Sequence, residues 1–153
     1  QVEPAHVAGK ASLPAGNPYE FQPNPSTIDK FLLTSTSAPL QAGLLKTIEF
    51  IQDIGVREIE KRDLDLAGRM KLALRETPGV KVLSPLDRLG SSGLVSFNID
   101  GVSPNEAVSL LWEGHRILFR TVSYPSCIRA SLHFFNTAEE VDKVVEAVRG
   151  IAR

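Results

Sequence analysis

Two strand-like segments near the end of the chain decide its fold: Ile117-Leu118-Phe119-Arg120-Thr121 and Cys127-Ile128-Arg129-Ala130-Ser131. The short run Val122-Ser123-Tyr124-Pro125-Ser126 joins them, so we expect two neighbouring strands with a loop between them. Each strand carries one arginine. The arrangement predicts fixed positive charge concentrated in one place.

A capped amphipathic helix follows these strands. Thr137 and Glu140 have the spacing of a capping box, in which a hydroxyl and a carboxylate satisfy backbone N–H groups at a helix start. Beyond them, apolar residues recur at helical spacing and form one stripe. These residues are Val141, Val144, Val145, Val148 and Ile151.

A second capping box precedes the two strands. Ser103 and Glu106 enclose Pro104 and predict a helix start there. We expect Gly114 to end this helix. Its inner face is predicted to consist of Val108, Leu111 and Trp112.

The remaining elements lie upstream. A helix is predicted from Ser37 or Ala38, with a break at Gly55, and a second helix from about Val56 to Glu76. Strands are predicted at residues 80–83 and 94–99. The order α-α-β-β-α-β-β-α indicates an α+β fold with a small, mostly antiparallel sheet covered by helices.

Composition limits the class of protein. The chain has 153 residues, of which 42% are hydrophobic and 23% charged, with a net charge of −1. These values exclude a disordered chain and give no basic footprint for nucleic acid. No apolar run is long enough to span a membrane. A single cysteine fits a reducing cytoplasm.

Residues 1–36 are predicted to form an irregular arm, because they hold many of the proline and glycine residues and show no period. Residues 37–153 are expected to form the domain proper. The first residue is Gln1, so we expect either a removed start or a piece of a longer protein.

Arg129 is the strongest candidate for a binding residue. It lies between Ile128 and Ala130, where strand neighbours are expected to be buried, so its charge needs a partner. That partner is either a carboxylate of this chain, such as Asp100 or Glu113, or the carboxylate of a ligand held by two parallel hydrogen bonds.

The other candidates are weaker. Arg120 is expected to be a strand-end surface charge or a member of an ion pair. The hydroxyl run Thr34–Ser37 is either a capping loop or an anion site at a helix N-terminus. Cys127 is expected to be a buried structural thiol. The three histidines are far apart in sequence, and no metal-ligand spacing is present.

Three stretches resemble the C-terminal part of the class V aminotransferase family, the pyridoxal-phosphate fold-type I group with cysteine desulfurases and cysteine/cystine lyases. Residues 120–141 are similar to its closing pattern, R-T followed by R-x-S and N-T-x-E-E-[IV]. Residues 30–44 align without gaps on R-F-x-x-G-T-P … G-L. Residues 77–80 are similar to the x-P-G-V entry to the small domain.

The resemblance implies residue roles. Arg129 occupies the position of the arginine that binds the substrate carboxylate. Ser35 falls on the threonine that contacts the cofactor phosphate of the other subunit of a homodimer. Because Thr34 and Ser35 replace the glycine and threonine of the family, either Ser35 or Thr36 could make that contact, or neither. Desulfurases of one group have a cysteine in the loop after R-T, whereas this sequence has Val122–Pro125 there. The stretch from Arg120 to Ala130 therefore resembles the cysteine/cystine C–S lyase branch more closely than the desulfurases.

The resemblance also implies a missing part. The family's Schiff-base lysine follows a histidine in a large domain, and none of the seven lysines here follows a histidine. No catalytic residue is therefore expected in this chain, which should be inactive alone. We expect a pyridoxal-phosphate enzyme in the full-length parent, with an N-terminal large domain, a homodimeric state and a small amino-acid substrate.

Within the family, the parent could be an aminotransferase or an epimerase. Outside it, the chain could be a stand-alone, non-catalytic binding module with the small-domain fold.

Overall fold

The computed structural model describes residues 12–13, 22–23 and 37–152. Strands β1 (Ser12–Leu13) and β2 (Gln22–Pro23) pair antiparallel. The chain divides into two compact units, residues 1–51 and 52–153. The domain boundary predicted after residue 36 and the irregular character of residues 1–36 stay predictions.

Helix α1 spans Ala38–Ile54, as the sequence predicts, and none of its residues is buried. Gly55 takes a φ of 96°, a conformation that favours glycine, and separates α1 from α2 (Val56–Arg75). The predicted break at Gly55 is therefore confirmed. The buried face of α2 includes Ile59, Leu66, Met70 and Leu74.

Four strands form the main sheet: β3 (Val80–Val82), β4 (Leu94–Ile99), β5 (Arg120–Ser123) and β6 (Ser126–Ser131). Their order is β3-β4-β6-β5, and every neighbouring pair is antiparallel. Helices α3 (Pro104–His115) and α4 (Ala138–Ile151) complete the unit. The predicted α+β fold with a small antiparallel sheet is confirmed.

One face of the sheet and three helices share the hydrophobic core. Strand residues alternate between faces, so Val95 and Phe97 of β4 and Ile128 and Ala130 of β6 point to the same side. This face packs against buried side chains of α2, α3 and α4, which include Met70, Leu74, Leu111, Val141 and Val148. The predicted valine stripe of α4 is confirmed.

The helix starts agree with the predicted caps. Thr137 accepts a hydrogen bond from the Glu140 N–H, and the Glu140 carboxylate accepts one from the Thr137 N–H, which completes a capping box. The Ser103 side chain likewise accepts from the Glu106 N–H, which confirms the predicted cap, but the Glu106 carboxylate does not accept from the Ser103 N–H, so this capping box is only half formed. Each such cap stabilises its helix by about 1 kcal/mol.

The predicted end of α3 at Gly114 is wrong. The helix continues to His115, and Arg116 takes a left-handed conformation with φ 58°. Its N–H donates to Trp112 O at 3.0 Å, and the Ile117 N–H donates to Leu111 O at 3.1 Å. These bonds close the helix in the way that glycine usually does.

Trp112 is not on the inner face of α3, which corrects a second prediction. Its side chain is 45% exposed, whereas Ala107 and Leu111 are fully buried. Trp112 lies one position, about 100° around the helix, beyond Leu111. It packs beside the Arg116 guanidinium instead, 5.4 Å from the ring centroid.

Candidate functional site

The second face of the main sheet carries the candidate site. Because side chains alternate along a strand, Arg129 points away from the neighbouring core residues Ile128 and Ala130. In the register of the sheet, Arg129 lies opposite Ser96 of β4 on one side and opposite Arg120 of β5 on the other. The register thus places the two arginines directly opposite each other on neighbouring strands.

Arg129 has no internal partner among the described residues. Its Nε is buried and donates no hydrogen bond. Within residues 37–152 the guanidinium forms no ion pair with Asp100, Glu113 or any other carboxylate. Leaving a buried donor unsatisfied costs about 1–3 kcal/mol. An acceptor supplied by a ligand would remove that cost.

Arg120 adds positive charge next to Arg129. It is exposed at the start of β5, and in the described part of the chain it too forms no ion pair. Like charges placed directly opposite each other in a sheet are destabilising. The strand pairing places the two arginines directly opposite each other, and an anionic ligand would offset the repulsion between them.

Cys127 is a buried thiol, as predicted, with 2% of its surface exposed. It lies on β6 opposite Val122. The β5–β6 hairpin turns at Tyr124 and Pro125, and Tyr124 is 93% exposed at the tip. The exposed loop and the thiol are thus separate features, and Cys127 is shielded from reagents in solvent.

The predicted phosphate contacts Ser35 and Thr36 lie outside the described residues. Within the hydroxyl run, only Ser37 is described. Its carbonyl accepts a hydrogen bond from the Gln41 N–H at 3.0 Å, as expected at the start of a helix. The role of Ser35 and Thr36 stays a prediction.

Lys71 is a buried basic residue that the sequence analysis did not single out. Its ammonium donates to Pro85 O at 2.6 Å and to Ser91 Oγ at 2.9 Å, and so anchors the loop between β3 and β4. Burial lowers the pKa of Lys71. The sequence signal for its burial is helical spacing. Lys71 is four residues after Ala67 and three before Leu74, which are both fully buried, so all three lie on one face of α2.

His133 belongs to neither the arginine pair nor a metal site. Its Nδ1 accepts a hydrogen bond from the Phe134 N–H at 2.8 Å, while Asp63 Oδ1 lies 3.5 Å away. The shorter contact occupies Nδ1 as an acceptor, so the histidine does not pair with Asp63 through that atom. No group of three metal-binding side chains occurs among the residues that the structure describes.

Among the helices in residues 37–152, none combines the length and apolar character that crossing a bilayer requires.

Comparison with known proteins places these features in a family. The family model for aminotransferase class-V matches residues 3–144. A probable cysteine desulfurase of Halalkalibacterium halodurans is 33% identical over 116 residues, which cover 69% of this chain and 28% of the relative. Its similarity therefore concerns only part of that protein.

Two solved structures have the same fold. The cystine C–S lyase C-DES, in complex with its reaction product cysteine persulfide, superposes with a TM-score of 0.75 at 27% identity, over 95% of this chain and 38% of the lyase. A C-DES mutant with glycine covalently linked to its PLP cofactor also gives 0.75 at 27% identity, over 95% and 37%.

The chain spans about a third of the length of the proteins that it matches. Within that third, the family match extends across the sheet with the two opposed arginines, helices α2 and α3, and the first half of α4. This chain therefore belongs to the aminotransferase class-V family.

Proposed function

We propose that this chain is the C-terminal small domain of a pyridoxal-phosphate-dependent enzyme that acts on a small amino acid. The observation that carries the proposal is Arg129, which has no partner within residues 37–152 and whose Nε is buried, and which lies opposite a second arginine in the sheet. Such a group is costly for stability alone and well suited to a carboxylate. The expected parent is a homodimer with an N-terminal large domain.

Arg129 would hold the carboxylate of the substrate. A guanidinium binds a carboxylate through two parallel hydrogen bonds and so fixes its orientation as well as its position. Arg129 lies on a central strand, between β4 and β5, where neighbouring strands restrict its backbone. Fixing the substrate in one orientation lowers the barrier of the following step.

Pyridoxal phosphate is the proposed cofactor. When bound, it supplies an electron sink for bond breaking at the amino acid. The PLP-bound form of C-DES, a structural neighbour of this chain, supports this choice. The buried Nε of Arg129 fits an amino acid held at such a site, and Ser35 or Thr36 would contact the cofactor phosphate.

The lyase branch is favoured over the desulfurase branch by the β5–β6 hairpin. The loop contains no cysteine, and Cys127 is 2% exposed on β6, so no thiol is presented where a persulfide could form. The paired Arg120 and Arg129 also suit cystine, which carries two carboxylates. The desulfurase relative shares 33% identity, which supports the broader class without separating the branches.

The proposal is tested by expressing the gene with all of its upstream coding sequence, and the 153-residue chain separately. The long protein should bind pyridoxal phosphate, seen by its absorbance, and release pyruvate from cystine. The short chain should do neither. Alanine formed from cysteine by the long protein would support the desulfurase instead. A long protein without cofactor, or without any amino-acid turnover, would contradict the proposal and favour a binding module.

A further inference from the structure

Asn98 carries a second buried polar atom without a partner, on the sheet face that carries Arg129. Strand β4 alternates between its two faces, so Ser96 and Asn98 lie on the side away from the core, together with Arg129 of β6. Among the described residues, the buried Oδ1 of Asn98 accepts no hydrogen bond, and the buried Nε of Arg129 donates none. One sheet face therefore holds an acceptor without a donor and a donor without an acceptor.

The orientation of the Asn98 amide follows from its other hydrogen bond. Its Nδ2 donates to Ser126 O at 3.0 Å, at the start of β6. A carbonyl oxygen only accepts, so the amide nitrogen and not Oδ1 must face Ser126. This bond fixes the side chain and leaves Oδ1 as an acceptor that Ser126 O cannot satisfy.

Asn98 lies within reach of Arg129 across the sheet. Ser96 is directly opposite Arg129 in the register of β4 and β6, and Asn98 is two residues further along β4 on the same face. Residues in this diagonal relation lie about 7–8 Å apart, which a long side chain can span. The unbranched stem of Arg129 can therefore turn its Nε towards the Asn98 amide.

A hydrogen bond from Arg129 Nε to Asn98 Oδ1 would satisfy both buried atoms at once. A ligand oxygen placed on Nε would satisfy Arg129 but leave Asn98 Oδ1 without a donor, which is unfavourable for a buried acceptor. With Nε held by Asn98, the two terminal nitrogens of the guanidinium remain for a carboxylate. They can bind it through two parallel hydrogen bonds.

We propose that Asn98 is a positioning residue for Arg129. In the substrate complex its Oδ1 accepts from Arg129 Nε and holds the guanidinium in the plane that presents the terminal nitrogens to the substrate carboxylate. Within residues 37–152 the two atoms are unpaired in the free chain, so this bond forms as the carboxylate fixes the guanidinium. The inference rests on the proposed carboxylate-binding role of Arg129, and Asn98 itself does not touch the substrate.

The test is a double-mutant cycle on the full-length holoenzyme, in which KM and kcat are measured for the amino-acid substrate. Asn98→Leu removes the acceptor and nearly keeps the shape of the side chain. It should raise KM about 5- to 10-fold, as expected for one lost hydrogen bond, and leave kcat within about two-fold of the wild type. In the Arg129→Ala background the same change should alter KM by less than about two-fold, because Asn98 acts only through Arg129.

Two further variants complete the design. Asn98→Ser is too short to reach Nε and adds no bulk, so it should repeat the rise in KM even if the leucine variant does not fold. Ser96→Ala is the matched control, because Ser96 lies on the same strand and face directly opposite Arg129, and it should leave KM unaltered.

The outcomes separate this inference from the proposed function. A raised KM in Arg129→Ala with an unaltered KM in both Asn98 variants would overturn the role of Asn98 and leave that of Arg129 standing. Effects of Asn98 and Arg129 that multiply in the double variant would show that Asn98 acts independently, and would also overturn it. An unaltered KM in Arg129→Ala would overturn both roles.

Discussion

Replacement of Arg129 by methionine should make the protein more stable. Among the described residues the buried Nε of Arg129 has no acceptor, and Arg129 lies opposite Arg120 in the sheet. Methionine keeps an unbranched stem and removes both the unsatisfied donor and the charge. An unsatisfied buried donor costs about 1–3 kcal/mol, and some packing of the longer side chain is lost. We expect the free energy of unfolding to rise by about 1–2 kcal/mol.

The assay is urea unfolding of the 153-residue chain, followed by Trp112 fluorescence and by circular dichroism. With a typical urea dependence, the midpoint should rise by about 0.5–1 M. Arg120→Met is the matched control, because it removes the same like-charge contact from an exposed position. It should change the free energy of unfolding by less than about 0.5 kcal/mol.

A loss of more than about 1 kcal/mol in Arg129→Met would refute this reasoning, since it would show that Arg129 has a structural partner whose removal is costly. The carboxylate-binding role would then lose its main structural support. An equal gain in both arginine variants would assign the effect to charge repulsion rather than to the buried donor.

Three further changes test the fold. Gly93→Ala should destabilise the protein by about 1–3 kcal/mol, because a Cβ there would clash with the carbonyl oxygen of Leu132. Gly114→Ala has open space around the added Cβ and should stabilise the protein by about 0.5–1 kcal/mol, and chemical denaturation compares the two variants. The folded protein lowers the pKa of Lys71, so below the ordinary lysine pKa of 10.5 the unfolded state binds more protons than the folded state. The free energy of unfolding should therefore rise as the pH approaches 10.5. Lys71→Met should flatten this rise, as measured by denaturation at several pH values. Thr137→Ala should cost about 1 kcal/mol by removing the cap of α4, whereas an unchanged melting temperature would contradict that role.

Local signals in the sequence predicted much of the fold. The Thr137–Glu140 box, the valine stripe of α4 and the break at Gly55 each have one dominant physical cause, and all three are confirmed. Two residues compete to end α3: Gly114, which is the residue type expected there, and Arg116, which ends the helix in the structure. Arg116 accepted the left-handed conformation that glycine usually takes, and its contact with Trp112 is a tertiary interaction that spacing alone did not reveal.

The candidate site was predictable only in part. Alternation along β6 identified Arg129 as a charge among buried neighbours, but the register that places Arg120 opposite it depends on the strand pairing. The burial of Lys71 was not predicted, because a lysine in a helix is normally expected to lie on the solvent-exposed face. Its two acceptors come from a loop 14 and 20 residues away, which no local pattern shows.

The most direct test of the central claim is the KM of the full-length enzyme for its amino-acid substrate after Arg129→Ala. Two charge-assisted hydrogen bonds are lost, each worth about 1.5–3 kcal/mol, so KM should rise about 100-fold or more. Lys81→Ala, which removes another cation from the same sheet, should leave KM within about two-fold of the wild type, in line with a small surface effect. An unchanged KM in Arg129→Ala, with the cofactor still bound, would contradict the assignment of Arg129 to the substrate carboxylate.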